Sequence, residues 1–203
     1  MTPWLSVVIP TVGRETLALT LRSLRAQPES AGLEVLVVAD THGGHTALLE
    51  QARDRVHASG FDWLEYDAGR HCVGQPQRTY GGKQATAPWV WFAQDDNIAT
   101  RDSLAAIEAA IDAQPRARPL FFRIRSYWGE TIWRSQQLTL GNIDADCLVL
   151  PRHLAQRIEW GLRYEGDFDA AAQAFAFSGS DVAWVDEMVS LARPEQDDLW
   201  WRQ

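Results

Sequence analysis

The chain has 203 residues, 46% of them hydrophobic and 23% charged, a balance that suits one folded domain with a substantial core and excludes intrinsic disorder. The net charge of -8 makes direct nucleic-acid or anionic-membrane binding unexpected, because affinity for phosphate backbones and headgroups is built from clustered Lys and Arg. No run approaches the roughly 18 apolar residues needed to cross a bilayer, and no charged-then-apolar leader opens the sequence, so a cytoplasmic location is expected.

Residues 4–10 (WLSVVIP) read as a buried strand. Residues 14–27 carry Leu17, Leu21 and Leu24 at helical spacing, and Pro28 follows where a helix stops. A second apolar strand covers residues 33–39 and ends at Asp40; after the loop THGGH come a helix to about His57 and a short strand at residues 61–66. Residues 75–87 are expected to be helical despite Gly81 and Gly82, with Pro88 ending the helix before the strand at residues 89–94 (WVWFAQ). That strand runs directly into Asp95, Asp96 and Asn97. An alanine-rich helix is expected at residues 101–113, and Pro115 and Pro119 bracket the turn into a strand at 120–127. The second half is less regular, with strands expected at 131–140 and 182–185 and helices at 151 to about 160 and at 168–177. Strands alternating with helices describe an α/β fold with a mostly parallel central sheet flanked by helices.

In such a sheet ligands gather beyond the carboxyl ends of the strands. Three loops lie there: Thr11 to Arg14, Asp40 to Gly44, and Asp95 to Asn97. Adjacent carboxylates repel unless a cation sits beside them, and oxygen ligands suit Mg²⁺ or Mn²⁺, so Asp95 and Asp96 are candidates for a metal diphosphate site. The competing reading is that Asp96 and Asn97 begin a turn or cap the helix starting near Arg101. The segment GNIDAD, holding Asp144 and Asp146, is either a turn between strands or a second carboxylate cluster facing a ligand. Ten Trp are present, and Tyr127, Trp128 and Trp133 are candidates either for stacking on a ring or for core and rim packing. Cys72 and Cys147 are too far apart in sequence to suggest a metal motif or a disulfide framework. His42, His45 and His71 fall on expected loops and carry no assigned role.

Taken in order, LSVVIPTVGRETLALTLRSL, EVLVVAD, VGQPQRTYGGKQATAPWVWFAQDDN and LVLPRHLAQRIEWGLRYEGDFDAAAQAF resemble the family-2 glycosyltransferases of GT-A fold, from the start of the chain almost to its end. The resemblance implies a nucleoside-diphosphate sugar donor, a Mn²⁺ or Mg²⁺ cofactor and inverting transfer to an acceptor that the sequence does not name. It implies that Thr11 lies on the donor side, that Asp40 bonds the nucleotide base, and that Arg78 or Lys83 neutralises the diphosphate. Asp96 would ligate the metal and Asp95 would contact ribose, metal or metal-bound water. Asp167 is the favoured general base, with Glu165, Asp169 and Asp144 as alternatives. The sequence departs from the family where Asn97 replaces a third carboxylate, where Glu165 to Asp169 replaces a Glu-Asp pair, and where no His follows the last strand. Residues 1–203 are expected to form one domain, with a donor-binding half at 1–100 and an acceptor-side half at 101–203. Two other functions stay open: a nucleotide-sugar binder without turnover, and a metal-dependent nucleotidyltransferase, although the latter usually carries a Lys in the first Gly-rich loop and TVGRET has none.

Overall fold

The computed structural model describes residues 2–44, 46–114, 116–195 and 198–202; His45 and Pro115, both named above, lie outside the described residues. The first half runs β1 (Leu5–Thr11), α1 (Leu17–Arg25), β2 (Leu33–Asp40), α2 (Ala47–Ala58), β3 (Asp62–Tyr66), α3 (Gln75–Gln84) and β4 (Trp89–Phe92). It continues through β5 (Asn97–Ala99), α4 (Ser103–Asp112), β6 (Leu120–Arg125), β7 (Thr131–Ile132), β8 (Leu148–Pro151), α5 (Arg152–Ala155), α6 (Gly166–Phe177) and β9 (Ala183–Ala192).

All seven residues of β1 are buried, because helices cover both faces of the sheet. Leu5, Val7 and Ile9 pack on one side with Leu17, Leu21 and Leu24 of α1, Val56 of α2 and Ile107 of α4. Val8 faces the other side, in a second cluster with Val38, Phe92, Ala155 of α5 and Ala170, Ala171 and Ala174 of α6. The unbroken apolar runs seen in the sequence are thus strands buried twice, with alternate residues serving two cores. α3 lies on the second face, and Gly81 shows why a helix tolerates glycine there. A Cβ at Gly81 would stand 2.5 Å from Val8 Cγ1 and 3.0 Å from Val38 Cγ2. Close packing of α3 on β1 and β2 therefore outweighs the propensity cost of about 1 kcal/mol.

The strand order is β3-β2-β1-β4-β8-β6-β9-β5, with β7 beside β6. β1 to β4 are mutually parallel and β6 is parallel to β9, so the sheet is mostly parallel; β8 runs against β4 and β6, and β5 against β9. Because β8 reverses between them, β6 and β4 point the same way. The carboxyl ends of β1, β2, β4 and β6 and the segment entering β8 therefore share one edge.

The second half corrects several expectations. Asn97 starts β5, pairing with Ala192 of β9, so Asp95 and Asp96 form a turn between strands; α4 begins after Asp102, whose side chain makes no capping bond. The strand expected at 131–140 stops at Ile132, since one side chain takes over the hydrogen bonding of the following loop. Asn142 Oδ1 accepts from the Arg134 amide at 2.7 Å, and its Nδ2 donates to the Ser135 and Gln137 carbonyls at 2.8 and 2.7 Å. The helix expected from residue 151 is only the short α5, because residues 148–151 are strand β8. β9 is longer than residues 182–185: the register jumps from Val185 to Met188 opposite Phe122 and Arg123, so Asp186 and Glu187 bulge from the ladder instead of ending it. Among the described residues no helix is long and apolar enough to cross a membrane.

Candidate active site

A cavity of about 310 Å³ opens at the shared edge, and Thr11, Asp40, Arg78, Asp95, Asp96, Asp144 and Asp167 all line it. Each arrives from a different part of the fold. Thr11 ends β1, Asp40 ends β2, Asp95 and Asp96 follow β4, Arg78 projects from the first half of α3, Asp144 precedes β8, and Asp167 lies in the first turn of α6.

The floor is an ordered hydrogen-bond network. Thr11 Oγ1 donates to Asp95 Oδ2 at 2.7 Å and accepts from the Gly13 amide at 3.0 Å. Arg14 Nη1 bridges the acidic pair, 2.9 Å from Asp95 Oδ1 and 3.1 Å from Asp96 Oδ2. Burial raises the Asp95 carboxyl above its ordinary range, while Thr11 and Arg14 oppose that shift. At the β2 side, Asp40 Oδ1 accepts from the His42 amide at 3.0 Å, and Asp40 Oδ2 lies 2.8 Å from His71 Nδ1. Arg78 is buried; its Nη1 donates to the Val73 carbonyl at 3.0 Å and its guanidinium lies 5.2 Å from the centre of the Trp160 ring. Its Nε is buried and has no hydrogen-bond partner among the described residues. Burial lowers the Arg78 pKa, with Asp144 and Asp146 pulling it back.

Asp167 reaches the cavity because Gly166 permits a close contact. A Cβ at that position would stand 2.4 Å from the Gly161 carbonyl oxygen and 2.7 Å from Gln75 Cδ, so only glycine lets α6 press against the first turn of α3. Burial, and then the charge of Asp144, push the Asp167 carboxyl up to about 6. Asp144 accepts from Gln94 Nε2 at 2.7 Å and from the Asp146 amide at 3.1 Å, and burial raises its pKa as well.

Asp146 sits behind the cavity wall with no exposed surface. Its Oδ2 accepts from Asn97 Nδ2 at 2.9 Å and from Ser190 Oγ, while its Oδ1 is unpartnered. Burial and then Asp144 push its carboxyl from 3.8 up to about 7. A carboxyl raised on folding keeps its proton where the unfolded chain has lost it, so it subtracts stability as pH climbs from 3.8 to about 7. Asp146→Asn is expected to flatten that slope, with its melting temperature exceeding wild type by a few degrees at pH 8, for a gain of about 1–3 kcal/mol. The two melting curves should meet near pH 4; parallel pH dependence in thermal denaturation would place a charged carboxylate at 146 throughout.

Several named residues lie elsewhere. Lys83 pairs with Glu159, Asp169 receives Arg163 Nε at 2.8 Å, and Glu165 is not part of the lining. Trp133 is core, donating to the Phe121 carbonyl at 2.9 Å, while Tyr127 and Trp128 are exposed outside the cavity. His42 lies 3.3 Å from Asp67 Oδ1. Arg14, named as the end of the first strand-end loop, His71, given no role in the sequence reading, and Gln94, read as the end of a strand, also line the cavity. For Arg14 the signal existed in its place after the first strand; a loop position gave none for His71.

For a cation the donor set is specific. Among the described residues no three His, Cys, Asp or Glu side chains are grouped to hold a metal ion alone. Both oxygens of Asp95 are engaged, and one oxygen of Asp96 is. A small divalent ion accepts one or two carboxylates when phosphates and waters complete its shell, so these residues fit an ion carried by a diphosphate.

The model of Glycosyl transferase family 2 matches residues 6–178. No curated protein matches the chain. Among solved structures, S. aureus TarS superposes with a TM-score of 0.75 at 16% identity, covering 98% of this chain and 38% of that one. S. aureus TarS 1-349 in complex with UDP-GlcNAc gives 0.75 at 17% identity, over 98% of this chain and 61% of that one. Mannosyltransferase PcManGT from Pyrobaculum calidifontis, in complex with GDP-Man and Mn²⁺, gives 0.65 at 16% identity, over 100% and 60%. At such identities the likeness is one of fold, and the chain spans less than two thirds of each of these structures.

Proposed function

The chain belongs to glycosyl transferase family 2 and has the GT-A fold, and on that premise we propose that it moves a sugar from a nucleoside diphosphate to an acceptor hydroxyl with inversion at the anomeric carbon. The observation that carries this reading is the cavity itself. A strand-end carboxylate, a buried guanidinium, an acidic pair and a separate carboxylate raised to about 6 line one space. Relatives of the same fold hold UDP-GlcNAc and GDP-Man with Mn²⁺, which supports a nucleotide-sugar donor and a divalent cation.

In this reading residues 1–100 form the donor half of a single domain and residues 101–203 the acceptor side. Asp40, with His71 beside it, bonds the nucleotide base, and Thr11 and Asp95 hold the ribose side. Asp96 is the metal ligand of the pair, since its side chain is the more exposed of the two and Arg14 engages one of its oxygens, whereas Thr11 and Arg14 together engage both oxygens of Asp95. A Mn²⁺ or Mg²⁺ ion held there supplies Lewis-acid stabilisation of the leaving diphosphate. The need for such an ion follows from charge: five carboxyl groups line the cavity against two guanidiniums, a setting that repels a bare diphosphate. Arg78, whose guanidinium lines the cavity, binds the diphosphate from the α3 side. Asp167 takes the proton from the acceptor hydroxyl as the new bond forms.

Melting the protein against UDP, GDP and dTDP, each with and without Mn²⁺, tests the donor assignment. Saturation at 100 times Kd adds about 2.7 kcal/mol to stability, a shift on the order of 5 °C or more. One nucleoside diphosphate is expected to give that shift and to need Mn²⁺ for it. Identical melting with all three, with and without metal, would refute the reading.

A further inference from the structure

Arg14 occupies the place between the two acidic side chains that a cation would contest. A single nitrogen, Nη1, contacts both Asp95 and Asp96, at 2.9 and 3.1 Å. Its anchoring is lopsided: the Asp95 side chain is 6% exposed, whereas that of Arg14 is 52% exposed. The carboxylate end of this contact is rigid, fixed further by Thr11, and the guanidinium end is a flexible stem at the cavity mouth. The second contact, to Asp96, is exposed, and an exposed ion pair is weak and yields readily to a competitor.

We propose that Arg14 is a displaceable counter-cation, holding the acidic pair until a metal ion arrives together with a diphosphate and then turning onto that diphosphate. This rests on the donor reading above and extends it to the order of events. A divalent ion arriving alone must remove the guanidinium and finds too few protein oxygens in return. An ion carrying a diphosphate brings its own oxygens, and it also brings negative charge that gives the released guanidinium a new partner. Arg14 thereby makes metal entry depend on nucleotide entry, a coupling of the usual size of about 5–150-fold.

The test is Mn²⁺ binding, followed by the loss of the free-ion electron paramagnetic resonance signal, with and without UDP or GDP. Wild type is expected to bind Mn²⁺ weakly alone and at least tenfold more tightly with whichever nucleotide stabilises it. Arg14→Met is expected to bind Mn²⁺ alone about tenfold more tightly than wild type and to lose most of the nucleotide enhancement. Arg14→Lys, which keeps the charge, should remain near wild type. Arg14→Met that binds Mn²⁺ alone no more tightly than wild type, with nucleotide binding intact, overturns the role of Arg14 and leaves the donor reading standing. Tightening in Arg14→Lys equal to that in Arg14→Met also overturns it. Failure of every nucleoside diphosphate to bind wild type, with or without Mn²⁺, sinks both proposals together. Melting temperatures near wild type confirm that the variants are folded, as expected for a half-exposed side chain.

Discussion

Asp167→Asn is expected to slow sugar transfer by about 10²–10⁴-fold, the usual contribution of a positioned general base, while leaving nucleotide-induced stabilisation unchanged. The separation follows from placement. Asp167 reaches the cavity from α6, away from the strand-end residues, and its carboxylate accepts from the adjacent Phe168 amide at 2.7 Å, a contact within its own turn. Its side chain therefore supports little of the surrounding structure. Burial against Asp144 raises its pKa to about 6, so it is mainly ionised at neutral pH yet more basic than an ordinary carboxylate. Wild-type activity should fall as pH drops through about 6, because protonation removes the base. Nucleoside diphosphate release, measured first with water and then across a panel of acceptors, gives both the rate and the pH profile. Asp169 is held by Arg163 and Glu165 stays out of the lining, so full activity in Asp167→Asn would move the base to Asp144.

Asp96→Ala is expected to reduce transfer by a comparable 10²–10⁴-fold, since loss of Lewis-acid stabilisation of the leaving group is worth several kcal/mol and each 1.36 kcal/mol is about tenfold. Unlike Asp167→Asn, it should also abolish the Mn²⁺ dependence of nucleotide-induced stabilisation. Folding should survive, because among the described residues the Asp96 side chain bonds only to the flexible Arg14. Asp95→Ala makes the instructive contrast. It removes the partner of both Thr11 and Arg14 at a buried position, so it should cost stability as well as activity. Wild-type turnover in Asp96→Ala, with Mn²⁺ still enhancing nucleotide binding, would remove the acidic pair from the metal site.

Much of the first half was legible because its signals are local. The strands β1, β2 and β4 are continuous apolar runs, α1 shows its leucine spacing, and Pro28 and Pro88 stand where helices have ended. Thr11, Asp40, Asp95 and Asp96 could be placed at one edge, since parallel neighbouring strands bring their carboxyl ends together whatever the loops do. The second half was harder to read. Two exposed acids in β9 look like a turn until β6 supplies a ladder that bulges around them, and the loop after β7 looks like a strand until Asn142 claims its amides and carbonyls.

What the amino-acid sequence determined by itself was the family, the alternation of strands and helices, and the identity of the acidic and basic groups at the strand ends. Tertiary structure alone decided their chemical states. Asp146 and Asp167 are ordinary carboxylates in the chain and become groups of about 7 and about 6 only when distant segments exclude water from them. Arg14 likewise meets Asp95 and Asp96 only because β1 and β4 lie side by side. Hydrophobic pattern is inscribed locally, whereas desolvation and charge proximity arise from contacts between residues far apart in sequence.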